Sequence, residues 1–176
     1  MEIQSIERFL DYYRRIHKRT LRVVERIPDE RMEWRFTPGR FSFGDLVRHL
    51  AALNRYMFAE NVAGRLSRYP GHGPELARDP SEIHEYFRRM HAESMEIFAG
   101  LADDDLQRHC TTPAGASMSV WKWLRAMVEH EVHHRGQLYL MLAMVEVPTS
   151  PLFGLTSEEV LERSVAGIAG DGNERP

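Results

Sequence analysis

The 176-residue chain is poor in the residues that several protein classes require. It has one cysteine, Cys110, which excludes a disulfide scaffold and an all-cysteine zinc module within a single chain. It has no long hydrophobic run. The longest wholly apolar stretch, Leu138 to Val145, falls far short of the roughly 20 residues that span a bilayer. It has no excess of positive charge. Its 23 basic and 26 acidic residues give a net charge of −3, which argues against a nucleic-acid partner. Lysine is nearly absent, with only Lys18 and Lys122. The many arginines are scattered rather than striped, so base composition explains them better than a built anion site. The opening residues Met1 to Ser5 carry neither a basic nor an apolar signal region, which predicts a cytoplasmic protein.

No segment alternates with period two, so strands are not expected. Helical spacing is plentiful instead. Residues 3–27 place Ile6, Leu10, Tyr13, Val24 and Ile27 on one face, with His17 and Thr20 in the same seam, and Pro28 as the stop. Residues 28–41 form a turn-rich connector. Ser42 to Asp45 resembles a capping box and opens a second helix towards Gly64. Its seam is Leu46, His49, Leu53, Tyr56 and Glu60. The Pro- and Gly-rich stretch 65–80 reads as a crossover. Asp79-Pro80 starts a third helix to about Gly100, with Ile83, Phe87, Met90, Ser94, Ile97 and Leu101 inward. Thr111 to Gly115 is a turn or a small extended excursion.

The last long helix runs from Ser119 to about Val147, before Pro148. Its inward face is Trp123, Met127, His130, His134, Gln137, Leu138 and Met141. A short helix follows Thr156, and a polar tail is expected to be disordered over 167–176. The whole pattern predicts one all-α domain over 1–166. It would be a four-helix bundle with a crossover connection and a short C-terminal helix.

What the chain has in abundance is histidine, nine in all. The densest stretch is Glu129-His130-Glu131-Val132-His133-His134-Arg135-Gly136-Gln137. His130 and His134 are one turn apart on one face, which lets two imidazoles converge on one metal ion. An unpaired ring on an inward seam is costly, and a shared cation is one partner for both. A catalytic site needs a third ligand. His49 is the best candidate and His17 the reserve. His133 lies about 60° off the seam and is a weaker one, by helix geometry. His72 sits in the loop, and His84, His91 and His109 read as peripheral. Gln137, one turn past His134 on the same seam, is placed to hydrogen-bond a metal-bound water or substrate, with an outer supporting role or helix packing as the alternative. Glu131 could act as a base, although it points about 100° from the ligands. Arg135 reads as a surface or subunit contact. Gly136 suggests a close helix or ring packed on it.

The helix-four stretch resembles the H-x-x-x-H-H-R-G-Q signature of the DinB-like (DinB/YfiT) family of metalloenzymes. Gly44 to Leu50 is similar to that family's second-helix histidine segment, and Thr112 to Gly115 with Ser119 to its connector into the last helix. The resemblance implies a four-helix bundle, commonly a homodimer. It implies a divalent ion, zinc or nickel, held by His49, His130 and His134. It also implies a thiol S-transferase that uses a low-molecular-weight cellular thiol on a small electrophile, or a hydrolase.

An ion held by three neutral histidines keeps its full charge and acidifies a bound water or thiol. Cys110 lies outside every seam, so a thiol would have to come from a small-molecule cosubstrate. Two alternatives remain: a non-enzymatic metal-binding stress-response module, and a zincin peptidase reading of His130-Glu131-Val132-His133-His134. The second would need a β-sheet beside the helix, and no sheet is expected.

Overall fold

The structure is a computed structural model that describes residues 2–170, with side chains to residue 164. Helix α1 (Ile6–Val24) starts where the Ser5 hydroxyl accepts the Arg8 N–H. It ends before Pro28, and its last turn tightens through Arg26 N–H to Val23 and Ile27 N–H to Val24. Helix α2 (Phe43–Ala52) opens on a full capping box, Ser42 with Asp45. It runs on through a π-helical stretch, Leu53–Ala59, into a last turn, α3 (Glu60–Val62). Gly64 then takes φ +73° and closes that end.

Helix α4 (Pro80–Ala99) has Asp79 as its N-cap and proline in its first turn. A hairpin of β1 (His109–Thr111) and β2 (Ser117–Ser119) pairs His109 with Ser119. This is the extended excursion around Thr111 to Gly115. Helix α5 (Val120–Met144) is followed by Glu146 at φ +60°, a left-handed residue that ends it ahead of Pro148. Helix α6 (Ser157–Gly170) carries the chain past residue 167, where the sequence predicts a tail. The rest of that tail lies outside the described residues.

Two apolar clusters fix the helix directions. One joins the start of α1 (Phe9, Leu10), Phe58 and Val62, the end of α4 (Phe98) and the start of α5 (Trp123, Leu124). The other joins the end of α1 (Val23, Val24), the start of α2 (Leu46, Val47), the start of α4 (Ile83, Phe87) and the end of α5 (Leu138, Leu142). Helices α1 and α5 therefore run one way, and α2 and α4 the other. The connection from α3 to α4 must return along the whole bundle. Helix α4 is roughly 30 Å long at 1.5 Å per residue, and residues 64–79 reach roughly 50 Å extended. The crossover is thus a consequence of parallel α2 and α4.

Between the two clusters lies a polar layer. It contains His17 and Thr20 of α1, Asn54 beyond α2, His91 and Ser94 of α4, and Glu131 and Arg135 of α5. The α2 seam departs here from simple 3.6 periodicity. The wider π turn rotates the following residues, so Asn54, Phe58 and Val62 turn inward. Tyr56 and Glu60, expected on that seam, are only half-buried. Tyr56 carries Arg55 and Arg68 on its ring, and Glu60 pairs with Arg55 and Arg65.

Three further expectations are corrected. Arg135 is buried and donates to the Ile16 carbonyl at 3.3 Å, so it is not a surface residue. Gly136 is exposed, and among the described residues nothing beyond its own stretch of helix comes within 4 Å of where a Cβ would stand. His91 is not peripheral: its ring stacks on His17, with centroids 3.5 Å apart.

Candidate metal centre

The polar layer opens to the surface between α2 and α5, and there His49, His130 and His134 meet. The Nε2 atoms of His49 and His130 are 3.1 Å apart, and those of His130 and His134 are 3.0 Å apart. One ligand atom from each ring fits within a 4.8 Å cluster. Helical spacing supplies the His130–His134 pair. The packing of α2 against α5 brings His49 opposite.

The three rings are half-buried and hard to protonate. Burial lowers the His49 pKa to about 3, helped by repulsion from His134, His130 and His72. Burial takes His130 to about 4, with His134 and His133 adding to the shift. His134 is lowered too, by burial and then His133, against a hydrogen bond to Gln137. At neutral pH all three are neutral imidazoles.

Only the His134 tautomer is set by its outer nitrogen, because the hydroxyl beside His49 can donate or accept. His134 Nδ1 meets the Gln137 Oε1 acceptor at 2.7 Å, so Nδ1 carries the proton. His49 Nδ1 meets the Tyr69 hydroxyl at 2.8 Å. His130 Nδ1 is buried without a hydrogen-bond partner among the described residues. With the proton on Nδ1 of each ring, the arrangement a shared cation requires, the Nε2 lone pairs face one another, His130 Nε2 lying about 3 Å from each of the other two. Neutral lone pairs at that distance repel unless a cation lies among them. Two nitrogens each about 2.0–2.1 Å from one zinc-like ion sit roughly 2.9–3.4 Å apart, between right-angled and tetrahedral arrangements. The observed spacings fall in that range. The donor set suits a borderline divalent ion. Among the described residues no cysteine, carboxylate or fourth histidine joins this cluster.

Gln137 is exposed and bridges two histidines. Besides His134 it reaches His133 Nε2, at 3.2 Å through its Nε2. His133 is exposed and does not enter the cluster. Glu131 is not brought to the imidazoles. It is fully buried on another side of α5, where its carboxylate accepts from the Tyr13 hydroxyl at 2.8 Å and Asn54 Nδ2 at 3.1 Å. His17 Nδ1 lies 3.5 Å from its other oxygen. Burial pushes the Glu131 pKa up, but His17 and the Tyr13 hydroxyl outweigh it and hold the group at about 2. The reserve ligand His17 therefore serves this carboxylate and lies outside the imidazole cluster. Cys110 is buried on β1, its thiol pKa raised by burial and its S–H aimed at the Met118 carbonyl.

Three contributors were not legible in the sequence. Tyr69, from the crossover, reaches the His49 ring, and His72 reaches the Tyr69 hydroxyl. Arg48, next to His49, is completely buried. It binds the Ala77 carbonyl at 2.8 Å, the His72 carbonyl at 3.4 Å, and the carboxylates of Asp45 and Glu33. A cavity of about 740 Å³ lies elsewhere, between Arg65, Leu66 and the hairpin, and none of the three imidazoles lines it.

Solved structures share this architecture. A DinB-like protein from Bacillus cereus ATCC 10987 superposes with a TM-score of 0.73 at 19% identity, over 84% of this chain and 97% of that one. A DinB-like protein from Bacillus subtilis gives 0.64 at 17% identity, over 81% and 96%. A mycothiol-dependent maleylpyruvate isomerase gives 0.62 at 14% identity, over 76% of this chain and 60% of that one. At these identities the likeness is one of fold. No curated protein matches the chain in sequence. The family model of the DinB superfamily matches residues 12–138, a span that includes all three clustered histidines, and the chain belongs to that superfamily.

Proposed function

We propose that the protein is a divalent-metal-dependent enzyme that transfers a low-molecular-weight thiol to a small electrophile. The observation that carries this reading is the convergence of three neutral imidazoles with no fourth protein ligand beside them among the described residues. Three protein ligands and an open position are the pattern of catalytic rather than structural metal sites. Zinc or nickel, bound there, would supply a Lewis acid that keeps its +2 charge and acidifies a thiol or a water.

His49, His130 and His134 hold the ion. Gln137 acts one step out: it accepts the His134 Nδ1 proton and keeps Nε2 turned inward. Glu131 holds no proton for the reaction. It fixes the rotation of α5, and with it the direction of His130 and His134, through Tyr13, Asn54 and His17. The sulfur must come from outside, because Cys110 is buried in the hairpin. A structural neighbour whose name records dependence on a thiol, mycothiol, supports that choice over hydrolysis. We further infer a homodimer. Val132, Leu140 and Met144 are exposed along α5 around the open Gly136, a face that a second copy could cover.

The test is a screen of zinc- and nickel-loaded protein with several cellular thiols against small electrophiles, following thiol loss. Turnover that needs both metal and thiol, and that disappears in His130→Ala, is expected. Metal-dependent turnover without thiol would favour the hydrolase reading. No turnover with any pair, despite a bound ion, would favour a non-enzymatic metal protein.

A further inference from the structure

The crossover reaches the site through Tyr69, and among the described residues its hydrogen bond there is to one of the three imidazoles. Tyr69 Oη lies 2.8 Å from His49 Nδ1 and 2.8 Å from His72 Nδ1. Phe41 closes the other side, its ring 5.2 Å from His49 and 4.4 Å from His72. The crossover is itself held from below. The buried Arg48 guanidinium binds the carbonyls of His72 and Ala77, and Arg68 N–H donates to the Tyr56 carbonyl at 2.9 Å. A long loop is thus clamped at several points, with a phenol delivered to one ring nitrogen.

We propose that Tyr69 is the positioning residue for His49. Its hydroxyl, oriented by His72, fixes the Nδ1–H tautomer of His49 and thereby couples ion binding to the order of the crossover. This rests on the metal reading above and deepens it. If His49 Nε2 is to offer a lone pair, Nδ1 must carry the proton and donate it. Tyr69 then accepts from His49 and has its own proton free for His72 Nδ1. The direction of the chain is set by chemistry at one end. His134 has a matching arrangement in Gln137 and His133, but both lie on α5 itself. His49 alone depends on a separate segment.

Outer partners of this kind typically change metal affinity 10–100-fold when removed. The test is a zinc titration against a chromogenic chelator, in parallel with hydrogen exchange of residues 65–79 with and without zinc. Tyr69→Phe keeps the ring and removes the hydroxyl. It is expected to weaken zinc 10–100-fold and to abolish any zinc-induced protection of the crossover, with unchanged circular dichroism. His72→Gln retains an acceptor for the phenol and is expected to stay near parental affinity, whereas His72→Ala loses part of it. Parental affinity in Tyr69→Phe, or crossover protection that ignores zinc in the parent, would overturn the proposal. A parent that binds no zinc would overturn the metal reading, and this proposal with it.

Discussion

Replacing Glu131 by glutamine tests whether this residue is structural or catalytic. The side chain has no exposure, and one carboxylate oxygen accepts from Tyr13 at 2.8 Å and Asn54 at 3.1 Å. The other faces His17 Nδ1 at 3.5 Å. Glutamine has nearly the same shape, so the oxygen towards Tyr13 and Asn54 can be kept. The charge is lost, and an amide N–H₂ replaces the acceptor that faces His17. Hydrogen bonds to charged groups contribute about 1.5–3 kcal/mol each. Leaving a buried donor without its acceptor costs about 1–3 kcal/mol more. The expected loss is therefore about 3–5 kcal/mol. At roughly 2–4 °C per kcal/mol for a chain of this size, the melting temperature falls by roughly 6–20 °C. The assay is urea unfolding at pH 7 by circular dichroism, in excess chelator so that metal linkage does not enter. In the same assay His17→Gln should cost less in the Glu131→Gln background than alone. A loss below about 1 kcal/mol, well under the range for a broken buried pair, would refute the reasoning. If activity is found, loss of turnover at parental stability would make Glu131 the base that its sequence neighbourhood suggests.

Two other perturbations follow from the geometry. In metal-free protein, stability should fall with pH in two stages. His91 is held at about 3 by burial and then by His17, against an ordinary value of 6.5. The unfolded chain therefore takes up that proton first, and stability declines as pH falls from about 6.5 towards 3. Glu131, at about 2 against an ordinary 4.5, stabilises above that ordinary value and loses its contribution as pH falls from 4.5 towards 2. Urea midpoints at pH 7.5, 5.5, 4.5 and 3 measure both stages, and a flat profile contradicts them. At the end of α5, Glu146 adopts φ +60°. Glu146→Gly should relieve left-handed strain and stabilise by about 0.5–1 kcal/mol, net of glycine's added chain entropy. The same unfolding assay reads it, and destabilisation would contradict it.

The parts of the fold carried by strong local signals were readable from the residues alone. Capping at Ser42 and Asp79, the stop before Pro28, the seam of α1 and most of the seams of α4 and α5 reflect short-range physics. So does the His130–His134 pair, which needs only helical spacing. But Gln137 of the expected α5 seam is exposed, Phe98 rather than Ile97 or Leu101 is buried at the end of α4, and Glu146 ends α5 ahead of Pro148. The losses have specific causes. The π turn after Ala52 adds a residue to the helical repeat, so Asn54 and Phe58 turn inward beside Leu53, and Tyr56 and Glu60 are left half-buried. Nothing in the local residue pattern marks such a turn. Arg48, Glu131 and Arg135 look like solvent charges in sequence. They are buried because their partners, Glu33, Tyr13 and the Ile16 carbonyl, come from distant segments. Tyr69 and His72 sit in a loop without periodicity, so only the parallel course of α2 and α4 brings them to His49.

The central claim is that His49, His130 and His134 hold one divalent ion. Metal analysis by mass spectrometry, after loading with zinc or nickel and desalting, tests it most directly. The account predicts one equivalent per chain in the parent, and a large loss of bound ion in His49→Ala, His130→Ala and His134→Ala. A parent that retains no ion, or a triple variant that retains a full equivalent, would contradict it.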